Sequence, residues 1–284
     1  MLWNLHKSKR FIGKYPDKGV RGNEIVIILS QNENSMKHLA KKLLQKMLGF
    51  DNYLFLFSVF VIYTLRWNRN ERDFLHFLGM LPNEGTVLDI GANIGIMTVH
   101  LSRRLPQARV LAFEPIPANL KALHKVIGFF KLKNVEIFET ALGNYDGEAD
   151  MVMPVLDSLP MQGLSHVMHE SIPEFNEGRK FRTTIKKLDS IKAVSENGLS
   201  LNAIKIDVEN FEYFVLEGAK NLITKNHPII YAELWENENR GKCFDFLQAL
   251  NYKIMVLNQG KLELFDTREH KTQNFFFIPN PSAS

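Results

Sequence analysis

Five residues of this chain have the types and spacing to hold a charged small molecule and act on it. Val87-Leu88-Asp89-Ile90-Gly91-Ala92-Asn93-Ile94-Gly95 delivers a carboxylate to the end of an apolar run. Two glycines four apart then open a tight turn before a helical segment. Glycine fits where a Cβ would block a sharp turn or a ligand's approach to the backbone. A helix beginning there points unpaired N–H groups above the sheet. The next apolar run, Arg109 to Phe113, ends in Glu114-Pro115. Glu114 follows Gly95 at the interval where an acid reaches ribose hydroxyls in doubly wound sheets.

The turn discriminates among cofactors. A dinucleotide fingerprint needs G-x-G-x-x-G, and Asn93 stands where its middle glycine would admit a pyrophosphate. No G-x-x-x-x-G-K-[ST] phosphate loop occurs in the chain. Asp89 would repel a pyrophosphate but accept hydrogen bonds from a cationic amino group. One carboxylate for an amino group and one for a ribose, without a phosphate cradle, fit S-adenosylmethionine better than NAD.

More acids end further strands: Asp207 with Glu209, and Glu233 with Trp235 beside it as a wall. Ligands of open α/β sheets collect beyond these carboxyl ends. Asp207 is the candidate to orient a substrate hydroxyl or take its proton during methyl transfer. Glu209 is expected to hold substrate or the cofactor amino group, and Glu212 begins the next helix at the same rim. The competing role of Asp207, Glu209 and Glu212 is capping of that helix's positive end. Lys205 shares a face with Asp207 as its charge partner. Asp207, Glu209 and Glu233 are also oxygen donors for a divalent cation, although no diagnostic metal motif is present. His166 and His169 are candidate bases or substrate contacts, and Cys243 is expected in the core.

The positioning elements follow from periodicity. Strands are expected at 86–90, 109–113, 134–139, 203–206 and 229–234, with helices at 96–105, 117–129, 212–222 and 242–250. This alternation implies a mostly parallel sheet covered on both faces. Runs 253–257 and 274–278 form an antiparallel closing pair, with a turn at Asn258-Gln259-Gly260. Residues 143–182, rich in glycine and proline, interrupt the rhythm and are expected to be a lid or binding loop, with room for a short hairpin. Upstream, 24–29 is expected to be a strand, and 35–48, 53–67 and 71–81 to be helices.

The chain has 284 residues, 45% of them hydrophobic, enough for one substantial core. Its one cysteine excludes an internal disulfide and fits a reducing, cytoplasmic compartment. The first twenty residues have no apolar core of a signal peptide. Residues 1–70 carry 12 Lys/Arg and 4 Asp/Glu, a balance of +8, while the rest carry 23 and 27, a balance of −4. The basic excess therefore belongs to an N-terminal extension, expected to be mainly helical over 1–70, before a catalytic domain at 71–284. The uncharged stretch 53–65 is too short to span a bilayer. Residues 36–67 are instead candidates for packing on the domain, dimerisation or peripheral membrane contact. The catalytic segment lacks a basic track for nucleic acid.

Val87–Gly95, Phe113-Glu114-Pro115, Ala141-Leu142-Gly143 and Ile204-Lys205-Ile206-Asp207-Val208-Glu209-Asn210-Phe211-Glu212 together resemble the FkbM family of S-adenosylmethionine-dependent methyltransferases. The similarity runs from about residue 70 to 278. It implies a class I methyltransferase fold: an α/β, doubly wound, seven-stranded, mostly parallel sheet with an antiparallel C-terminal strand. It also implies O-methylation of a sugar, glycan or secondary-metabolite hydroxyl. On this resemblance Asp89, Gly91, Asn93 and Gly95 line the cofactor site, Glu114 with Pro115 holds the ribose, and Ala141-Leu142 lies near the adenine. Asp207 and Glu209 match the acids of the fourth-strand motif. The family commonly has glycine where Asn210 stands here. The alternative is a non-catalytic methyltransferase-like module that binds carbohydrate or protein.

Overall fold

The computed structural model describes residues 43–156, 159–172, 175–195 and 200–280. The expected strand at 24–29 and most of the helix at 35–48 lie outside them. The chain divides into two compact units, Met1–Tyr53 and Leu54–Ser284. In the first, residues 43–48 are helical. The second takes in residues 54–70, which the sequence assigns to the extension.

In chain order the elements are α1 (Phe50–Thr64), α2 (Arg72–Met80), β1 (Thr86–Ile90), α3 (Ile96–Arg104), β2 (Arg109–Phe113), α4 (Pro117–Phe130), β3 (Val135–Phe138) and β4 (Ala141–Leu142). There follow β5 (Gly147–Leu156), β6 (Leu159–Pro160), β7 (His166–Val167), β8 (Gly178–Lys186), α5 (Lys192–Ser195), β9 (Leu201–Ile206), α6 (Glu212–Glu217) and α7 (Lys220–Asn226). The chain closes with β10 (Ile229–Glu233), α8 (Glu238–Ala249), β11 (Tyr252–Asn258), β12 (Lys261–Leu264) and β13 (Asn274–Pro279).

The main sheet has the order β12-β11-β13-β10-β9-β1-β2-β3. The strands from β10 to β3 run parallel, and β13 enters antiparallel between β10 and β11. This is the class I methyltransferase arrangement, and β1 sits inside it with every residue buried. Among the described residues the sheet has eight strands where the resemblance implies seven. The extra one is the edge strand β12, folded back by Gln259 (φ 49°) and Gly260 (φ 85°). Two successive positive φ values make the tight hairpin turn whose twist matches paired strands.

Both faces are filled by alternating side chains. On β13, Phe275 and Phe277 pack against Phe244 of α8 at 5.0 and 6.1 Å between ring centres. Phe276 points the other way, onto Tyr231 of β10 at 5.2 Å, and Phe77 of α2 stacks on the same tyrosine at 5.2 Å. The inner side of α1 docks in the same unit: Ser58 is buried and its hydroxyl lies 3.1 Å from the Ile94 carbonyl.

The described residues of 143–182 contain far more strand than the short hairpin for which the sequence left room, and they build a second sheet. It has the order β4-β8-β5-β6, with β7 also on β5, and β5 pairs with β8 from Gly147↔Ile185 to Pro154↔Gly178. The expected helix 212–222 is also two pieces, parted at Gly218-Ala219, where the Gly143 carbonyl passes so close that a Cβ at Gly218 would lie 1.9 Å from its oxygen. Phe277→Ala empties a fully buried position at the centre of the sheet. It should lower unfolding stability by about 3–5 kcal/mol, read from the denaturant midpoint.

Candidate active site at the carboxyl ends of β1 and β9

Gly91, Asn93 and Gly95 all have left-handed backbone, with φ of 75°, 52° and 84°. Asparagine is among the few non-glycine residues that adopt it readily. Gly91 cannot be replaced for a second reason, and Gly95 is tightly packed. A Cβ on Gly91 would lie 2.0 Å from the Asp207 carbonyl oxygen, and one on Gly95 would lie 2.7 Å from Leu123 Cδ1. The Gly91 turn and the Asp207 turn are therefore pressed together, backbone to backbone. This close approach brings the two motifs, more than a hundred residues apart in sequence, to one place.

Beneath the turn, Asp89 and Lys205 are register partners on adjacent parallel strands. Lys205 Nζ is 3.3 Å from Asp89 Oδ1 and donates to the Gly91 carbonyl at 3.0 Å. Asp89 is fully buried, and its Oδ2 accepts from the Thr98 hydroxyl at 2.6 Å. The carboxylate expected to meet a cofactor amino group thus has Thr98 and Lys205 as its partners here. Burial by itself would pull the Lys205 ammonium down, but the carboxylates of Asp89, Asp207 and Glu233 hold it above its ordinary value. Lys205 partners the whole acid group, not Asp207 alone.

Glu114, also buried, clamps the outer side of the turn. Its Oε2 accepts from the Asn93 N–H at 2.8 Å. Its Oε1 accepts from the Ile116 N–H at 2.9 Å and from Asn119 Nδ2 at 3.1 Å. Pro115 lies between these contacts and is partly buried. Burial pushes the Glu114 carboxyl up to about 7 against the pull of these donors. Ala141 and Leu142 are buried in the main core and form the short strand that joins β8.

The second acid segment is a turn held by its own last residue. Glu209 (φ 53°) and Asn210 (φ 77°) are both left-handed. Glu212 is 1% exposed, and its Oε1 accepts from the N–H groups of Val208 at 3.2 Å and Asn210 at 3.1 Å. Burial pushes its carboxyl up to about 8, with the charge of Asp207 adding to the rise. Asp207 and Glu209, by contrast, are only partly buried. The structure therefore brings Asp207, Glu209 and Glu212 together but turns Glu212 inward, as the brace of the turn.

Asn210 has the left-handed geometry suited to the glycine that the resemblance implies here, and two asparagines that sequence reasoning did not single out secure it. Asn237 Nδ2 donates to its Oδ1 at 2.6 Å, and Asn239 Nδ2 donates to its carbonyl at 3.0 Å. Thr98 and Asn119 were likewise missed. The available signal was their place in the first turn of the helix after each acid. Asn237 carries the cap signal as well, since its side chain accepts from the Arg240 N–H.

His166 is buried between the Leu164 carbonyl at 3.0 Å and Asn176 at 3.2 Å. His169 lies against the Phe214 ring at 4.4 Å and the Ser171 hydroxyl at 2.9 Å. His166 is thus built into the second sheet, and His169 is packed on the rings of Phe211 and Phe214 at α6. Glu233 is buried, while Trp235 meets Phe175 edge-on at 6.1 Å. Cys243 is buried in the core, as expected. Among the described residues no group of three or more His, Cys, Asp or Glu is arranged to hold a metal ion, so Asp207, Glu209 and Glu233 do not form one.

The family model for the methyltransferase FkbM domain matches residues 89–254. The chain belongs to this family. It is 26% identical over 147 residues to Methyltransferase 1 of Beauveria bassiana, covering 48% of this chain and 59% of that protein. It is 28% identical over 219 residues to the AMB antimetabolite synthetase AmbE of Pseudomonas aeruginosa, covering 65% of this chain. The chain spans about three-fifths of the first relative and 10% of the second. Among solved structures it is similar to the FkbM methyltransferase of Methylobacillus flagellatus, with a TM-score of 0.47 and 16% identity over 70% of this chain and 45% of that one.

Residues able to hold S-adenosylmethionine are then the Gly91, Asn93 and Gly95 turn, Glu114 with Pro115, and Ala141-Leu142. The structure passes one test of fit: Asn93 Oδ1 is buried at the turn without a hydrogen-bond partner, which a ligand donor would satisfy.

Two measurements probe the electrostatics. Lys205→Met leaves the buried Asp89 charge without its cation and should cost about 3–5 kcal/mol of stability. Glu114 and Glu212 titrate far above an unfolded glutamate, so the folded state binds more protons than the unfolded one between about pH 4.5 and 8. Their contribution to stability is full below that window and is lost as pH rises through it. Glu212→Gln should therefore flatten the fall in unfolding free energy between pH 5 and 8, a window set by these two values. An unchanged slope in urea titrations across that range would refute the assignment.

Proposed function

We propose that this protein is an S-adenosylmethionine-dependent O-methyltransferase acting on a hydroxyl of a sugar, glycan or secondary metabolite. The carrying observation is the direct packing of the Gly91 turn on the Asp207 carbonyl. A donor bound over the glycine turn would lie beside the partly buried carboxylates of Asp207 and Glu209. S-adenosylmethionine, when bound, supplies an activated methyl group on a sulfonium. Its transfer would leave the C–S bonding pair on sulfur, and Asp207 would orient the acceptor hydroxyl and take its proton. Such a proton transfer contributes roughly 10²–10⁴-fold to a rate.

The other residues set up that step. Lys205 keeps Asp89, Asp207 and Glu233 compatible as neighbours and holds the Gly91 carbonyl in place. Glu212 and the three asparagines hold Asp207 and Glu209 in a rigid turn, so little orientation is left to be gained on binding. Glu114 sets the Asn93 N–H and retains acceptor capacity for a ribose hydroxyl. Membership of the FkbM family supports the methyl donor. The hydroxyl acceptor rests on the carboxylate suited to remove a hydroxyl proton. A small-molecule or glycan acceptor is favoured over nucleic acid because residues 71–284 carry no basic excess.

Calorimetry should detect S-adenosylmethionine or S-adenosylhomocysteine binding and no NAD binding. Glu114→Ala should weaken that binding roughly tenfold or more, because it removes both an acceptor for the ribose and the clamp on the Asn93 N–H. Asp207→Asn should lower turnover on an accepted hydroxyl substrate by roughly 10²–10⁴-fold with cofactor affinity nearly unchanged. Equal losses of affinity and turnover would make Asp207 a cofactor ligand instead, and binding of NAD alone would overturn the proposal.

A further inference from the structure

We propose that the outer face of α1, with the C-terminal turns of α3 and α4, docks on an anionic lipid bilayer. A helix that is apolar on every side is normally enclosed. From Leu54 to Leu65, α1 and the turn after it contain no charged residue. One side is enclosed: Leu54, Ser58, Val61, Ile62 and Leu65 are buried. The opposite side carries Leu56, Phe60, Tyr63 and Trp67, which are 48%, 55%, 56% and 66% exposed. Their spacing of four, three and four residues sets them in one stripe. The stripe extends onto α4, where Phe129 is 54% exposed and meets Phe55 edge-on at 5.7 Å, and Phe130 meets Tyr63 at 5.8 Å. A contiguous exposed apolar patch of this kind marks an interaction surface.

Its charge identifies the occupant. The segments 54–67, 96–104 and 117–133 hold no Asp or Glu, and Arg66, Arg103, Arg104, Lys131 and Lys133 are exposed on them. Arg66 lies over the Trp67 ring at 4.1 Å, and Arg103 over Phe130 at 5.7 Å, so cations border the aromatic stripe directly. The acids that flank these segments have interactions of their own: Asp51, Glu71 and Asp73 on either side of 54–67, and Glu136 and Glu139 with Arg109 and His124. Tryptophan, tyrosine and phenylalanine settle at the headgroup level of a bilayer, and flanking cations are drawn to anionic lipid. A second copy related by a two-fold axis would instead set these cations against themselves. No helix among the described residues is long and apolar enough to cross a membrane, so the contact would lie in the interface plane. An acceptor embedded in or delivered from a membrane would then meet the enzyme already at the surface.

The test is co-sedimentation of the full chain with vesicles of phosphatidylcholine alone or mixed with phosphatidylglycerol. Binding is expected to the mixed vesicles only, weakening as salt rises. Phe60→Ser with Trp67→Ser should weaken it roughly tenfold or more. Arg66→Glu with Lys133→Glu should do the same, at roughly fivefold per charge. All four side chains are solvent-exposed, and thermal unfolding checks that each variant folds. Absence of vesicle binding, equal binding to neutral vesicles, or unchanged binding in both variants would overturn the proposal, the last by moving the contact to another basic segment. A concentration-dependent dimer by light scattering that Phe60→Ser abolishes, without vesicle binding, would assign the face to a second copy instead.

Discussion

Everything above the sheet depends on one buried ion pair. Asp89 and Lys205 face each other across two adjacent parallel strands, 3.3 Å apart and almost wholly removed from water. Neither charge is tolerable there alone, because burial of an unpaired ion costs several kcal/mol. Together they do more than neutralise each other. Lys205 also grips the Gly91 carbonyl, and Asp89 grips the Thr98 hydroxyl at the start of α3. The pair thus ties β1, the glycine turn, the following helix and β9 into one block. A shift of one residue in the register between β1 and β9 would break all of these contacts at once.

That block explains how a cluster of acids persists at one sheet edge. Asp207 and Glu233 act on the same ammonium that Asp89 holds. Glu212 and Glu114 are managed differently, being buried and pushed toward the neutral form while backbone N–H groups occupy their oxygens. The carboxylates therefore divide by role. Those turned inward brace the two turns, and Asp207 and Glu209 are left partly exposed above them.

The alternating core was legible because strand and helix periods are strong signals when one face of each is buried. β1 and β2 appear at the residues expected, and the antiparallel pair β11 and β13 was readable from its apolar runs and the turn beside it. The second sheet was not. On β8 only Ile185 is buried and most of the rest is exposed, so its hydrophobic alternation is faint. β5 contains Pro154, a residue that argues against a strand interior. Candidate residues were found where an acid ends an apolar run. Their braces were not, because Asn237 and Asn239 reach Asn210 across a strand, a loop and a helix start, and no local pattern links them.

The departure from glycine at Asn210 shows how such braces arise. Glycine enters a left-handed turn freely but leaves the backbone loose in the unfolded chain. Asparagine enters at a modest penalty and brings a side chain that hydrogen bonds can hold. Here that side chain accepts from Asn237, the cap of α8, so the acid turn is anchored to the helix behind it. The same substitution adds bulk beside Asp207 and Glu209. With that anchor the turn has exchanged freedom for stiffness.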